Sequence, residues 1–261
     1  MDESPFFNYI LEGLNSSLTD YGYNLSFVYM NRSTPLEVQE MQLRSSDCKG
    51  FLIFGVEMQR EDLQVFIDTG LPFVVLDNSF QDSDVDSVSI NNFQGISKAM
   101  QYAYDMGHRE IGYIRCRERI TSFSERYQAY KNCMKKFGLK IKESYIWDVN
   151  YSEKTIREEV GKYLSENNEN PTIFIAENDF IACHAIHGMQ DNGYRVPEDI
   201  SVIGFDDRPV CQMIVPSVTT VNVPKNAFGS AAVELLMEKM QNPRDYSMKT
   251  EIGTKLIIRK S

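Results

Sequence analysis

Two rhythms of apolar residues alternate along the chain. Short, β-branched runs occupy residues 25–29, 50–54, 72–76, 111–114, 172–175, 201–205 and 218–221, with a further apparent strand at 146–149. Between them lie stretches in which apolar residues return every three or four positions, at 36–45, 60–68, 92–106, 124–137, 153–166 and 179–193. Ahead of all of these, Ser4-Pro5 is suited to start a helix, Phe7, Leu11, Leu14 and Leu18 give it one apolar face, and Gly22 ends it. Strands and helices taking turns predict an α/β fold of parallel sheets flanked by helices. So many βα units exceed one ordinary sheet, and the chain length is where cores divide, so two doubly wound parallel-sheet lobes are expected.

In open parallel sheets ligands bind beyond the carboxyl ends of the strands, which directs attention to the polar residues closing each apolar run. PFVVLDN ends on Asp77, TIFIAEND on Asn178 and Asp179, and SVIGFDD on Asp206 and Asp207. Carboxylates and amides gathered in a water-poor site suit the vicinal hydroxyls of a sugar. The same residues directly before a helix are natural N-caps: Asp179 and Asp207 read first as caps, and for Asn178 and Asp206 both readings stay open. Arg126 sits early in the helix of SFSERYQAYKNC and could fork onto two hydroxyls or pair at the surface with Glu125. Phe6 and Tyr151 offer flat faces for a sugar ring, or simply core.

Composition narrows the choices. No run approaches the roughly 20 apolar residues of a membrane span, and MDESPFFNYI lacks the order of a secretory signal, so a cytoplasmic location is expected. The five cysteines are scattered and never CxxC, which fits reduced thiols better than disulfides or a zinc ribbon. A net charge of -10 repels a phosphate backbone, so this chain by itself is not expected to hold DNA. The dinucleotide, P-loop, nucleophile-elbow and zinc-protease motifs are missing, and His184 and His187 have no evident carboxylate partner for a metal. No enzyme, cofactor or metal is expected.

Several segments resemble the effector-binding region of the LacI/GalR family of transcriptional regulators, which shares the fold of type I periplasmic binding proteins. SPFF at 4–7 is similar to the family's SNPFF, GHREIGYI at 107–114 to GHxxIxxI, and ERYQAYKNCMKKFGL to RxxGFxxALxxxG, with Ala129 in place of the usual Gly. IAENDFIA resembles FAxNDxxA, VPEDISVIGFDD the family's signature strand, and PSVTTVNVP its PPLTTVxxP crossover. The resemblance implies two lobes with a ligand cleft between them, 1–91 with 223–250 forming a dimerising N-terminal lobe and 92–222 with 251–261 the C-terminal lobe. It implies effector contacts from Phe6, Asp77, Ser122, Arg126, Tyr151, Asn178 and Asp206, while Val223 stands where a polar contact is common. It further implies a homodimeric repressor that senses a small carbohydrate and reaches operator DNA only through an N-terminal helix-turn-helix headpiece, which we expect this chain to lack along with the strand that opens the region. The rival is a transport-linked sugar-binding protein of the same fold, which the cysteines and the missing signal sequence disfavour.

Overall fold

The computed structural model describes residues 4–30, 34–45, 47–167 and 169–261. In chain order the elements are α1 (Ser4–Asp20), α2 (Leu36–Ser45), β1 (Phe51–Phe54), α3 (Gln64–Ile67), β2 (Phe73–Leu76), β3 (Asp86–Ile90), α4 (Asn92–Asp105), β4 (Ile111–Cys116) and α5 (Thr121–Lys136). They continue with β5 (Ile146–Val149), α6 (Glu153–Glu166), β6 (Ile173–Ala176), α7 (Asp179–Asp191), β7 (Ser201–Asp206), β8 (Thr219–Asn222), α8 (Lys225–Gln241), β9 (Lys249–Ile252) and β10 (Lys255–Ile257). Short 3-10 turns precede α3 and β5 and follow β7. The chain packs as two compact units, one of Phe7–Ile90 and Pro224–Ile252, the other of Asn91–Val223 and Gly253–Ser261 together with residues up to Phe6.

In the first unit β1, β2, β3 and β9 form a parallel sheet in that order. Phe51, Ile53, Phe73 and Val75 meet Leu43, Leu63 and Phe66 in its core. The buried stripe Ile10, Leu14 and Leu18 of α1 brings that helix close to α8, and Gly13 permits the approach: a Cβ there would lie 2.2 Å from the Asn226 carbonyl oxygen. The carboxyl of Asp86 is wholly buried, with Lys239 Nζ at 2.8 Å, Arg244 Nη2 at 2.9 Å and the Met248 amide at 2.6 Å. One carboxylate thus ties β3 to α8 and to the approach into β9.

One sequence-based expectation is corrected here. Residues 23–30 form no strand, and Phe27 and Tyr29 are 72% and 86% exposed. The sheet places β1 at its edge, bonded to β2 alone, so this segment has no ladder partner among the described residues. Without cross-strand partners a β-branched run does not hold a strand. The strands β3, β9 and β10 depart from the sequence-based expectation, since DSVSI and KTEI break the apolar pattern and KLI is too short to show one.

The second unit is built on a six-stranded sheet of order β10-β8-β7-β6-β4-β5, parallel throughout except that β10 runs antiparallel to β8. Side chains alternate across it. From β4, Ile114 and Cys116 enter a core with Ile156 and Val160 of α6 and Ile181, Ala185 and Met189 of α7, whereas Tyr113 packs on Tyr127 and Tyr130 of α5 on the other face. Tyr130 donates to the Ile111 carbonyl at 2.8 Å. Because β4, β6 and β7 are parallel neighbours, their carboxyl ends and the residues that follow share one rim.

Candidate functional site

Arg126 is the centre of that rim. Its place in the second turn of α5 puts it among that helix's buried residues, and it is 3% exposed. Nε donates to Asn92 Oδ1 at 2.8 Å, Nη1 to the Glu177 carbonyl at 2.6 Å, and Nη2 lies 3.3 Å from Asp206 Oδ1. The guanidinium lies 3.7 Å from the ring centroid of Phe205. A buried cation needs this company, because desolvation costs more than a single ion pair returns. Glu125, the surface partner considered from sequence, instead accepts from Asn92 at 2.8 Å.

Asp206 ends β7 with φ of 109°, and Asp207 follows at 53°. Both angles lie in the left-handed region that non-glycine residues avoid, at a cost of order 1–3 kcal/mol each. Neighbours hold the turn in place: Asp207 accepts from Arg259 at 2.6 Å and Asn222 at 2.9 Å, and the Arg208 amide donates to Asp179 at 2.7 Å. The result aims the Asp206 carboxylate at Arg126.

Asn178 takes the cap reading, and its amide nitrogen has a partner of its own. Its Oδ1 caps α7 by accepting from the Ile181 amide at 3.0 Å, and its Nδ2 donates to the Tyr151 hydroxyl at 2.8 Å. Tyr151 in turn stacks on Phe180, centroids 4.6 Å apart. Asp179 and Asp207 are not the caps the sequence suggested. Asp179 is the first helical residue, fully buried, accepting from the Thr220 hydroxyl, and burial followed by the nearby charge of Asp206 raises its pKa. The physical reason is that each carboxylate has a better-placed donor across the sheet than the helix amides.

Of the residues expected from sequence, Arg126 and Asp206 are brought into contact, Asn178 and Tyr151 into another, and Ser122 is buried in the first turn of α5, the helix that carries Arg126. Phe6 is buried and groups with the same unit. Asp77 belongs to the other unit, follows β2 with φ of 62°, and donates its amide to the Val88 carbonyl at 2.9 Å. Asn92, Phe205 and Glu177 were missed. Asn92 gave no signal because DSVSI, the strand before it, carries no apolar run to mark its end, and Glu177 gave none because a single acid between a strand and an Asn-Asp pair looks exposed.

The network around Arg126 is made of hydrogen-bond donors, acceptors and flat rings. Among the described residues no group of three or more His, Cys, Asp or Glu could hold a metal, and no helix is long and apolar enough to cross a membrane. Such a rim can exchange hydrogen bonds with a polar molecule.

The family model for the periplasmic binding protein-like domain matches residues 100–261. Over 261 residues the chain is 29% identical to the HTH-type transcriptional repressor PurR of Pasteurella multocida strain Pm70, covering 99% of this chain and 78% of that repressor. The fold is similar to that of a transcriptional regulator CelR–cellobiose complex, with a TM-score of 0.87 at 23% identity over 98% of this chain and 79% of that one. It is also similar to a LacI family transcriptional regulator of Enterococcus faecium with bound ribose, with a TM-score of 0.84 at 20% identity over 100% of this chain and 95% of that one. The chain belongs to the periplasmic binding protein-like domain family.

Proposed function

We propose that this chain is the effector-sensing and dimerising core of a LacI-type repressor, and that a small, uncharged carbohydrate docks on the rim of the second unit. The observation that carries the reading is Arg126, a buried guanidinium set 3.3 Å from the buried carboxylate of Asp206 and backed by an aromatic ring. A planar fork beside a carboxylate acceptor matches neighbouring hydroxyls, one donating and one accepting. Ser122, Asn178 and Tyr151 extend the set of polar contacts on this rim, and Phe6 groups with the same unit. Relatives that are repressors, and similarly folded regulators holding cellobiose or ribose, support it.

In this reading the core acts in the cytoplasm as a homodimer without chemistry of its own. DNA contact comes from helix-turn-helix headpieces, and effector binding changes their placement on the operator by favouring one arrangement of the core over another.

The test is a thermal-unfolding screen with cellobiose, ribose and related mono- and disaccharides. A bound sugar at a hundredfold excess over its Kd adds about 2.7 kcal/mol of stability. We expect a hit that Asp206→Ala and Arg126→Lys both abolish, the latter because an ammonium keeps the charge but not the fork. A hit that survives both, or one obtained only with nucleobases or sugar phosphates, overturns the assignment.

A further inference from the structure

The function just proposed makes no use of the Glu177 side chain, yet the fold buries it completely. Its Oε2 accepts from the Cys116 amide at 2.7 Å and its Oε1 from Arg119 Nη1 at 2.6 Å. Its own amide donates to the Ile114 carbonyl at 3.0 Å, and its carbonyl is the one that receives Arg126. One residue therefore joins the end of β6, the end of β4, the loop 117–120 and α5, the helix that presents Ser122 and Arg126. Such a carboxyl is a poor choice for rigidity alone, since an apolar residue of similar volume would serve without the desolvation cost.

We propose that Glu177 is a positioning residue for Arg126 and a proton-operated latch on the loop 117–120. Charged, it clamps Arg119 and the Cys116 amide and holds α5 in register with β6; on taking up a proton it lets Arg119 go and Arg126 shifts with it. The inference rests on reading the Arg126 rim as the effector site, and it makes effector affinity depend on pH.

The groups facing Glu177 decide whether the latch can work. Arg119 comes from the loop and Arg126 from α5, both favouring the charged carboxylate; Tyr113, Arg115 and the Cys116 thiol lie along β4, and Asp179 on α7 is committed to Thr220 and the Arg208 amide. Burial outweighs the two arginines and pushes the carboxyl up to about 7, so its charge changes within the physiological range. The Tyr113 hydroxyl is buried with no hydrogen-bond partner among the described residues. Arg119 Nη1 also donates to the Cys116 carbonyl at 3.2 Å, and its side chain is 34% exposed and can hydrate when the carboxylate is lost.

The experiment is a pH titration of the 15N-labelled, effector-free protein from about pH 5.5 to about pH 8.5, following the Cys116 amide and the Arg126 Nε–H by NMR. We expect both signals to move with a shared midpoint near 7. Glu177→Gln should freeze both, and Arg119→Ala should raise the midpoint, since a cation stabilising the carboxylate is gone. A Cys116 amide that does not titrate removes the latch; one that titrates while Arg126 stays still removes the coupling. Should Glu177→Gln not fold, Arg119→Ala carries the test on the exposed partner. No effector is needed, so failure of the sugar screen and failure of this inference are separate results.

Discussion

Gly204 on β7 has no room for a methyl group: a Cβ there would meet Asp179 Oδ1 at 2.2 Å. Asp179 cannot retreat, being held by Thr220 and the Arg208 amide. We expect Gly204→Ala to destabilise the protein by roughly 1–3 kcal/mol through overpacking, read as a lower midpoint in urea unfolding. A shift under about 0.5 kcal/mol would mean that Asp179 is less tightly held. At this scale the sequence was partly legible. Arg126 and Asp206 could be named from the motifs that carry the family resemblance, but their contact could not be, since the 79 positions between them carry no distance information. Asp179 illustrates the limit: its neighbours in sequence suggest a cap, and its neighbours in space make it a buried acceptor.

At the scale of elements, Asp86 fastens β3 to α8 through Lys239 and to the approach into β9 through Arg244 and the Met248 amide. Removing one member of a buried ion cluster leaves the others uncompensated, so Asp86→Ala should cost about 3–5 kcal/mol. Hydrogen exchange should then show the loss concentrated in β3, α8 and β9; an even loss across both units would contradict the local role. In the other unit, Asn178→Ala removes the α7 cap and the partner of Tyr151, for about 1 kcal/mol of stability. Most helices and the apolar strands could be placed from their periods alone. β3, β9 and β10 could not, because strands stabilised by pairing with a neighbour need no apolar signature of their own. The reverse held for residues 25–29, where a strand-like sequence meets no ladder.

For the molecule as a whole, Glu177 and Asp179 give a stability that depends on pH with a definite sign. Both carboxyls have folded pKa values above their ordinary ones, chiefly by burial. The stability they confer is therefore fully present below the ordinary value, 4.5 for Glu177, and is lost as pH rises toward about 7. The thermal midpoint should fall across that window and level above it, and Glu177→Gln should flatten part of the slope. A midpoint that rises through the same window would show that paired surface carboxylates dominate instead.

What the sequence by itself determined is the class of the molecule: alternating periods dictate parallel sheets and helices, parallel sheets put the polar residues that close the strands on one rim, and the local motifs carry the family. Tertiary structure alone decided which of those polar residues meet. The Arg126–Asp206 pair, the buried Glu177 joining β4, β6 and α5, and the strained turn at Asp206 and Asp207 each depend on strands that are adjacent in the sheet but distant in the chain. Burial then set the charge states, because the cost of desolvation belongs to a place in the fold and not to a residue type.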